Sequence, residues 1–256
     1  KDAGGTTISG ATVTWVTTAT SVATVSSGGL VTSIADGTAA IIAVSGALNG
    51  TAAVAVAQVA SSVEVSPSTD TLTSVGDTVT LTATVKDAGG AAIPGVTATW
   101  ATSDSTVATV SDAGLVTAVT NGTATITATS GVLEATATAT VSQIASSIEL
   151  SDTVLTFTSL ADTTQLIATV KDAKDNEITG ATVTWATSDA SVATVSDAGL
   201  VTAIANGLAT ITARFGSMEA TATASVGQAA ASIELAPTSL SFTSFGDTAS
   251  FVATVK

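Results

Sequence analysis

A fixed internal period constrains this chain more than any other feature. Trp15, Trp100 and Trp185 stand 85 residues apart, and so do Lys1, Lys86, Lys171 and Lys256. The segment WATSDSTVATVSDAGLVTAV from Trp100 returns from Trp185 to Ile204 with three substitutions, and the more divergent copy from Trp15 needs no gap. A unit of this length is one small domain, and its repetition makes the chain an array. The period divides it into two complete units, residues 59–143 and 144–228. Residues 1–58 read as the C-terminal strands of a further unit, and residues 229–256 as the first two strands of another.

Inside each unit the dominant pattern is alternation with period two, the mark of half-buried strands. Val79, Leu81, Ala83 and Val85 alternate with Thr78, Thr80, Thr82 and Thr84. The same reading predicts strands near Val63–Ser66, Val96–Ala101, Val107–Val110, Leu115–Val119, Thr123–Thr129 and Leu133–Val141. Threonine is β-branched with a polar tip, which suits the wet face of a pleated sheet. Asn121-Gly122, Asn206-Gly207 and Asp36-Gly37 sit just before a strand, where a tight turn calls for positive φ. Asn49-Gly50-Thr51 and Asn121-Gly122-Thr123 also match a glycosylation acceptor, and the turn is the favoured reading of both. Pro67, Pro94 and Pro237 fall at strand edges or in loops. Many short strands with regular turns predict an all-β protein of tandem sandwiches strung into an extended rod. Trp15, Trp100 and Trp185 share a strand face with Ala and Val, so each is expected in the structural core as the largest burial of its domain.

Composition removes most chemistry. The chain has no His, Cys or Tyr, so imidazole bases, thiolates, zinc sites and disulfides are all excluded. Lys and Arg number 6 against 20 Asp and Glu, for a net charge of -14, which speaks against nucleic acid because phosphate binding needs a basic stripe. Although 45% of residues are hydrophobic, Thr and Ser interrupt every apolar run, and no span of about 20 apolar residues exists to cross a membrane. The chain opens on Lys without a charged-then-apolar leader, as expected of a mature product or an excised segment.

The run T-W-A-T-S-D-x-x-V-A-T-V-S-D-A-G-L-V-T-A, followed by N-G-x-A-T-I-T-A, resembles the bacterial immunoglobulin-like group 2 (BIG2) domain. The resemblance covers nearly the whole chain. It implies Ig-like sandwiches used in tandem on bacterial surfaces, as in intimin- and invasin-like adhesins, in phage tail proteins and beside the catalytic modules of secreted enzymes. It brings no catalytic residues and no cofactor. The expectation is a non-enzymatic, extracellular, cell-surface segment of a fibre, filament or adhesin stalk. Its alternatives are a carbohydrate- or receptor-binding module and the accessory domains of a secreted enzyme or phage tail protein. The implied partners are neighbouring copies of the repeat, with host or surface glycans or proteins reached through other regions.

Acids are the remaining candidates for a site. Asp87, Asp104 and Asp112 are the carboxylates nearest to a calcium reading, but calcium wants several oxygens converging in one loop, and these acids are singly spaced. They are read as solvated charge, as are Asp2 and Asp172 at the position that follows the repeated lysine. Without His a hydrolytic triad has no base. Phe215, Phe242, Phe245 and Phe251 are the only aromatic candidates for a binding cluster, and the last three alternate as core or hairpin positions do. The joints, such as Val141–Ser147, carry no Pro and no Gly-Ser spacer, which favours a stiff connection. Residues 229–256 and 1–58 together make up one unit, so a sandwich is expected to form across them, in a longer chain or in a head-to-tail polymer, with Phe251 and Val255 toward Trp15.

Overall fold

The computed structural model describes all of residues 1–256 and contains 25 strands and no helix. The first five are β1 (Thr14–Thr17), β2 (Ala23–Val25), β3 (Val31–Ser33), β4 (Gly37–Ser45) and β5 (Leu48–Val56). Next come β6 (Ala60–Ser66), β7 (Thr69–Leu72), β8 (Thr78–Thr80), β9 (Thr82–Asp87), β10 (Thr99–Thr102), β11 (Ala108–Val110), β12 (Leu115–Ala118), β13 (Gly122–Ser130) and β14 (Leu133–Val141). In these residues one sheet has the order β10-β13-β14-β7, and the facing layer is made of β6-β9 and β8-β12-β11. Since β8 and β9 are separated only by Leu81, the facing layer is one sheet with a break.

The unit recurs with the same pairings as β15 (Ser147–Leu150), β16 (Val154–Phe157), β17 (Thr163–Gln165), β18 (Ala168–Lys171), β19 (Thr184–Thr187), β20 (Ala193–Val195), β21 (Leu200–Ala203), β22 (Gly207–Phe215) and β23 (Met218–Val226). A last hairpin, β24 (Ile233–Ala236) with β25 (Val252–Val255), stands as a two-stranded sheet. This is the β-sandwich expected from the alternation and turn spacing, in the Ig-like form that the family resemblance implies.

The long hairpins show how the sequence selects the fold. Ala124, Ile126 and Ala128 of β13 and Ala137, Ala139 and Val141 of β14 are all buried, and the Thr residues between them face outward or lie half covered. Leu72, Leu81, Val116 and Ala118 close the core from the other strands. Ile126 and Ile211 sit at the two centres with no exposed surface. The whole chain exposes 15259 Å², against about 10,000 Å² for a compact protein of this mass, so the repeats form an elongated array and not one globule.

Two sequence expectations change, and one kind of strand is added. The strand read at Val79–Val85 breaks at Leu81, whose N–H leaves the ladder to donate to the carbonyl of Gly114. The strand read at Val96–Ala101 begins only at Thr99. The parallel strands β7 and β16, which pair with β14 and β23, carry no period-two signature long enough to read.

The tryptophans are also placed differently. Trp100 and Trp185 are half-buried against the core and not at its centre, because they lie on β10 and β19, the edge strands of their sheets. The indole of Trp100 lies over Gly114 (φ 78°), where a Cβ would come within 3.0 Å of Cζ2 and 2.4 Å of the Leu81 carbonyl oxygen. Only glycine fits there, which explains the G-L-V-T turn.

Candidate functional site: the joint between repeats

The repeated lysine and the aspartate after it end a strand at the domain boundary. Lys86 and Lys171 each reach across to a glutamate on the neighbouring strand, Glu64 and Glu149, and Lys256 pairs with Glu234 in the same way. These exposed pairs contribute little stability. The Glu149 carboxylate nonetheless raises the Lys171 pKa above its ordinary value.

Asp172 is different. It is only 1% exposed, which corrects its reading as solvated charge. Its Oδ1 accepts the backbone N–H groups of Lys174 (2.9 Å) and Asn176 (3.0 Å). Its Oδ2 accepts the Gln143 side-chain amide (2.9 Å) and the backbone N–H of Val75 (3.0 Å), two groups that belong to the preceding repeat. Burial alone would raise its pKa, but the Gln143 amide and the three backbone N–H groups outweigh it and hold the carboxyl well below the usual range.

Around this carboxylate the two repeats are tied by side chains. Asn176 donates to the Val75 carbonyl (3.0 Å), and Lys174 donates to the Gly76 carbonyl (2.7 Å) and pairs with Asp77 (2.9 Å). Lys174, then the N–H groups of Ser74 and Thr73, lower the Asp77 pKa against a burial cost. Gln143 is itself held by Asn121, which accepts its backbone N–H (2.7 Å) and donates to its side-chain carbonyl (3.1 Å). No buried side-chain polar atom in the chain is left without a partner.

Sequence reasoning singled out Asp172 by its period and Asn121 only as a turn residue, and it missed Gln143, Lys174 and Asn176. The signal was present: Gln58, Gln143 and Gln228 recur at the period, as do Asp36, Asn121 and Asn206. In all three cases the second residue accepts the backbone N–H of the first. Polar residues fixed at one position among Thr, Ala and Val mark something that is neither core nor wet face.

The other candidates are not gathered. Asp87 accepts the Gln58 amide and the N–H groups of Ala91 and Gly89, and these lower its pKa against desolvation. Asp104 caps its own loop by accepting the Thr106 hydroxyl and N–H, which lower its pKa. Asp112 lies at the mouth of an open groove beside Trp100. No group of three or more acids that could hold a metal ion is found. Phe215 is partly buried against the cluster of Ile148, Val170 and Ala213, while Phe242, Phe245 and Phe251 are exposed.

A groove of about 280 Å³ beside Trp100 recurs beside Trp185 at about 450 Å³, lined chiefly by small apolar side chains. The polar side chains that line them are Thr80, Thr82, Thr97 and Asp112 in the first and Gln165, Thr182 and Asp197 in the second.

The joint and its two sandwiches thus define a class, tandem β-sandwich repeats linked through a shared carboxylate. The model of the bacterial Ig-like domain (group 2) family matches residues 59–141 and 145–226, and the chain belongs to that family.

Solved structures give distant likenesses. Surface layer protein SbsC, domains 1-6, is 22% identical over 93% of this chain and 38% of its own, with TM-score 0.35. The Escherichia coli adhesin FdeC is 21% identical over 75% of this chain and 74% of its own, with TM-score 0.38. Protocadherin gamma B7 extracellular cadherin domains 1-4 are 13% identical over 96% and 75%, with TM-score 0.38. This chain thus spans well under half of the SbsC chain. No curated protein sequence matches significantly. No helix is long and apolar enough to cross a membrane.

Proposed function

We propose that this chain is a structural, non-enzymatic segment of an extracellular bacterial surface fibre, filament or adhesin stalk, in which Ig-like repeats set a distance and hold a direction. Its units are residues 59–143 and 144–228, with parts of two more in 1–58 and 229–256. Its immediate partners are neighbouring copies of the repeat, and any host or surface glycan or protein is met through other regions. The observation that carries this reading is the tie at Asp172. A flexible tether needs no buried carboxylate shared by two domains, whereas a spacer of defined direction does. Family membership and the absence of His and Cys support a role without catalysis or cofactor.

The test uses spin labels at Val132→Cys and Thr163→Cys, on either side of the joint, since the chain has no native cysteine. A narrow distance distribution that broadens in Asp172→Ala is expected. An equally broad distribution in both chains would defeat the reading.

The grooves beside Trp100 and Trp185 favour the carbohydrate-binding alternative. That reading predicts quenching or a shift of Trp fluorescence on titration with neutral oligosaccharides, and the stalk reading predicts none.

A further inference from the structure

The grooves beside Trp100 and Trp185 lie wholly inside the two complete repeats and are built from the same positions. Leu81, Trp100, Asp112 and Ala113 line the first, and Leu166, Trp185, Asp197 and Ala198 line the second. They differ where the first has Thr80 and the second has Gln165. The Gln165 side chain turns onto the wall of its groove, and its one amide nitrogen donates to the carbonyls of Leu166 (2.8 Å) and Ala198 (2.6 Å). Two acceptors are thus held within reach of a single donor atom. In the groove beside Trp100 the matching carbonyls, those of Leu81 and Ala113, accept no hydrogen bond from the rest of the chain.

Charge points the same way. The chain carries a net charge of -14, and its ion pairs engage every one of its cations except Lys1, none of them with Asp112. A counter-charge for the Asp112 carboxylate therefore comes from outside the chain.

We propose that the groove beside Trp100 is a binding site for a primary ammonium group, carried by a free alkylamine or by a lysine side chain. An ammonium nitrogen has three N–H donors and no acceptor. Placed where Gln165 puts its amide nitrogen in the sister groove, it donates to the carbonyls of Leu81 and Ala113. The third N–H is left for Asp112, a charge-assisted bond. The indole of Trp100 lines the same groove and attracts a cation through its ring face, while Val96 and Ala98 cover the methylene stem.

The groove beside Trp185 is closed to the same ligand, because Gln165 already holds its two acceptors. One chain thus carries the site and its own control. The inference goes beyond the stalk reading, which asks no ligand of its repeats, and its failure would leave that reading standing.

The test follows the indole N–H signals of Trp100 and Trp185 by NMR while butylamine or Nα-acetyl-lysine methylamide is added to the whole chain. Expected is a saturable shift of the Trp100 signal with the Trp185 signal unmoved. Equal midpoints for the two probes assign the site to a free amine, and tighter binding of the blocked lysine assigns it to a lysine within a polypeptide. Acetylation of the lysine Nζ should abolish the shift. Thr80→Gln, which copies the sister repeat and so keeps the fold, should weaken binding at least about tenfold, the loss expected when hydrogen bonds to a charged group are denied. Asp112→Asn should weaken it about threefold, as an exposed ion pair does. Gln165→Thr should make the Trp185 signal respond. Trp100 and Trp185 signals that move together in the unaltered chain, or a Trp100 signal that does not move, would overturn the proposal. So would binding indifferent to Thr80→Gln, Asp112→Asn or acetylation, or a Trp185 signal still silent after Gln165→Thr.

Discussion

The joint at Gln58 and Asp87 and the joint at Gln143 and Asp172 are built on the same frame and finished differently. In both, a glutamine amide donates to the aspartate that follows the repeated lysine, at 2.9 Å. At the second joint the loop of residues 74–76 and the side chains of Lys174 and Asn176 close over the carboxylate. At the first, Gly89 and Ala91 stand where Lys174 and Asn176 stand, and neither carries a side chain able to donate to the preceding repeat. The glutamine and aspartate are therefore a common clasp, and residues 174 and 176 are a local reinforcement. Stiffness is a property written into each joint separately.

Four measurements break or sharpen that comparison. The largest effect is expected from Asp172→Ala, which leaves the amides of Gln143, Val75, Lys174 and Asn176 without their acceptor. It should destabilise the pair of complete repeats by about 2–3 kcal/mol, with Asp87→Ala costing less than half as much, read by thermal unfolding. Equal losses would show that the added contacts at the second joint contribute nothing.

Converting the second joint toward the first with Lys174→Gly and Asn176→Ala should cost about 1–2 kcal/mol. It should also widen the distribution of angles between the repeats in small-angle scattering or residual dipolar couplings. An unchanged distribution would move the reinforcement to the backbone of residues 74–76.

Acid should separate the joints as well. The Asp172 pKa is depressed in the folded state, so its contribution is fully present above the unfolded value of about 3.9 and is lost as pH falls below it toward the depressed value. The second joint should hold unchanged from pH 8 to pH 5 and loosen only below about pH 4. Loosening near pH 6 would contradict the hydrogen-bond set assigned to Asp172.

The smallest effect is expected from Lys174→Met. It removes a partly exposed pair with Asp77 and the hydrogen bond to the Gly76 carbonyl, together worth about 0.5–1 kcal/mol, and the ion-pair part should matter less at high salt. Sensitivity to salt that survives the substitution would have to come from the other charges at the joint.

The sequence made the period, the sandwich and most strand positions legible, because alternation and turn residues are local signals. What it hid was set by distant partners. Thr69–Leu72 is a strand only because β14 lies beside it in parallel. Leu81 leaves its ladder because the Gly114 carbonyl is there to receive its N–H. The tryptophans belong to the right strand face, but their partial exposure follows from an edge position that no local pattern encodes. Asp172 looked like surface because the loop that buries it lies 97 residues away. Gln143 and Asn121 could have been found by asking which polar residues keep the period without serving a strand.

The parallel pairing of β7 with β14 also determines how a repeat answers a pull. Tension along the chain enters a repeat near β6 and β7 and leaves through β14, so the two ends of the domain are drawn past each other along their shared ladder. Its main-chain hydrogen bonds are then strained together in shear, and the ladder cannot open one bond at a time as a hairpin pulled from its open end does. A segment of four residues, nearly invisible in the sequence, is thereby the part of each repeat that a pull along the chain would load in shear.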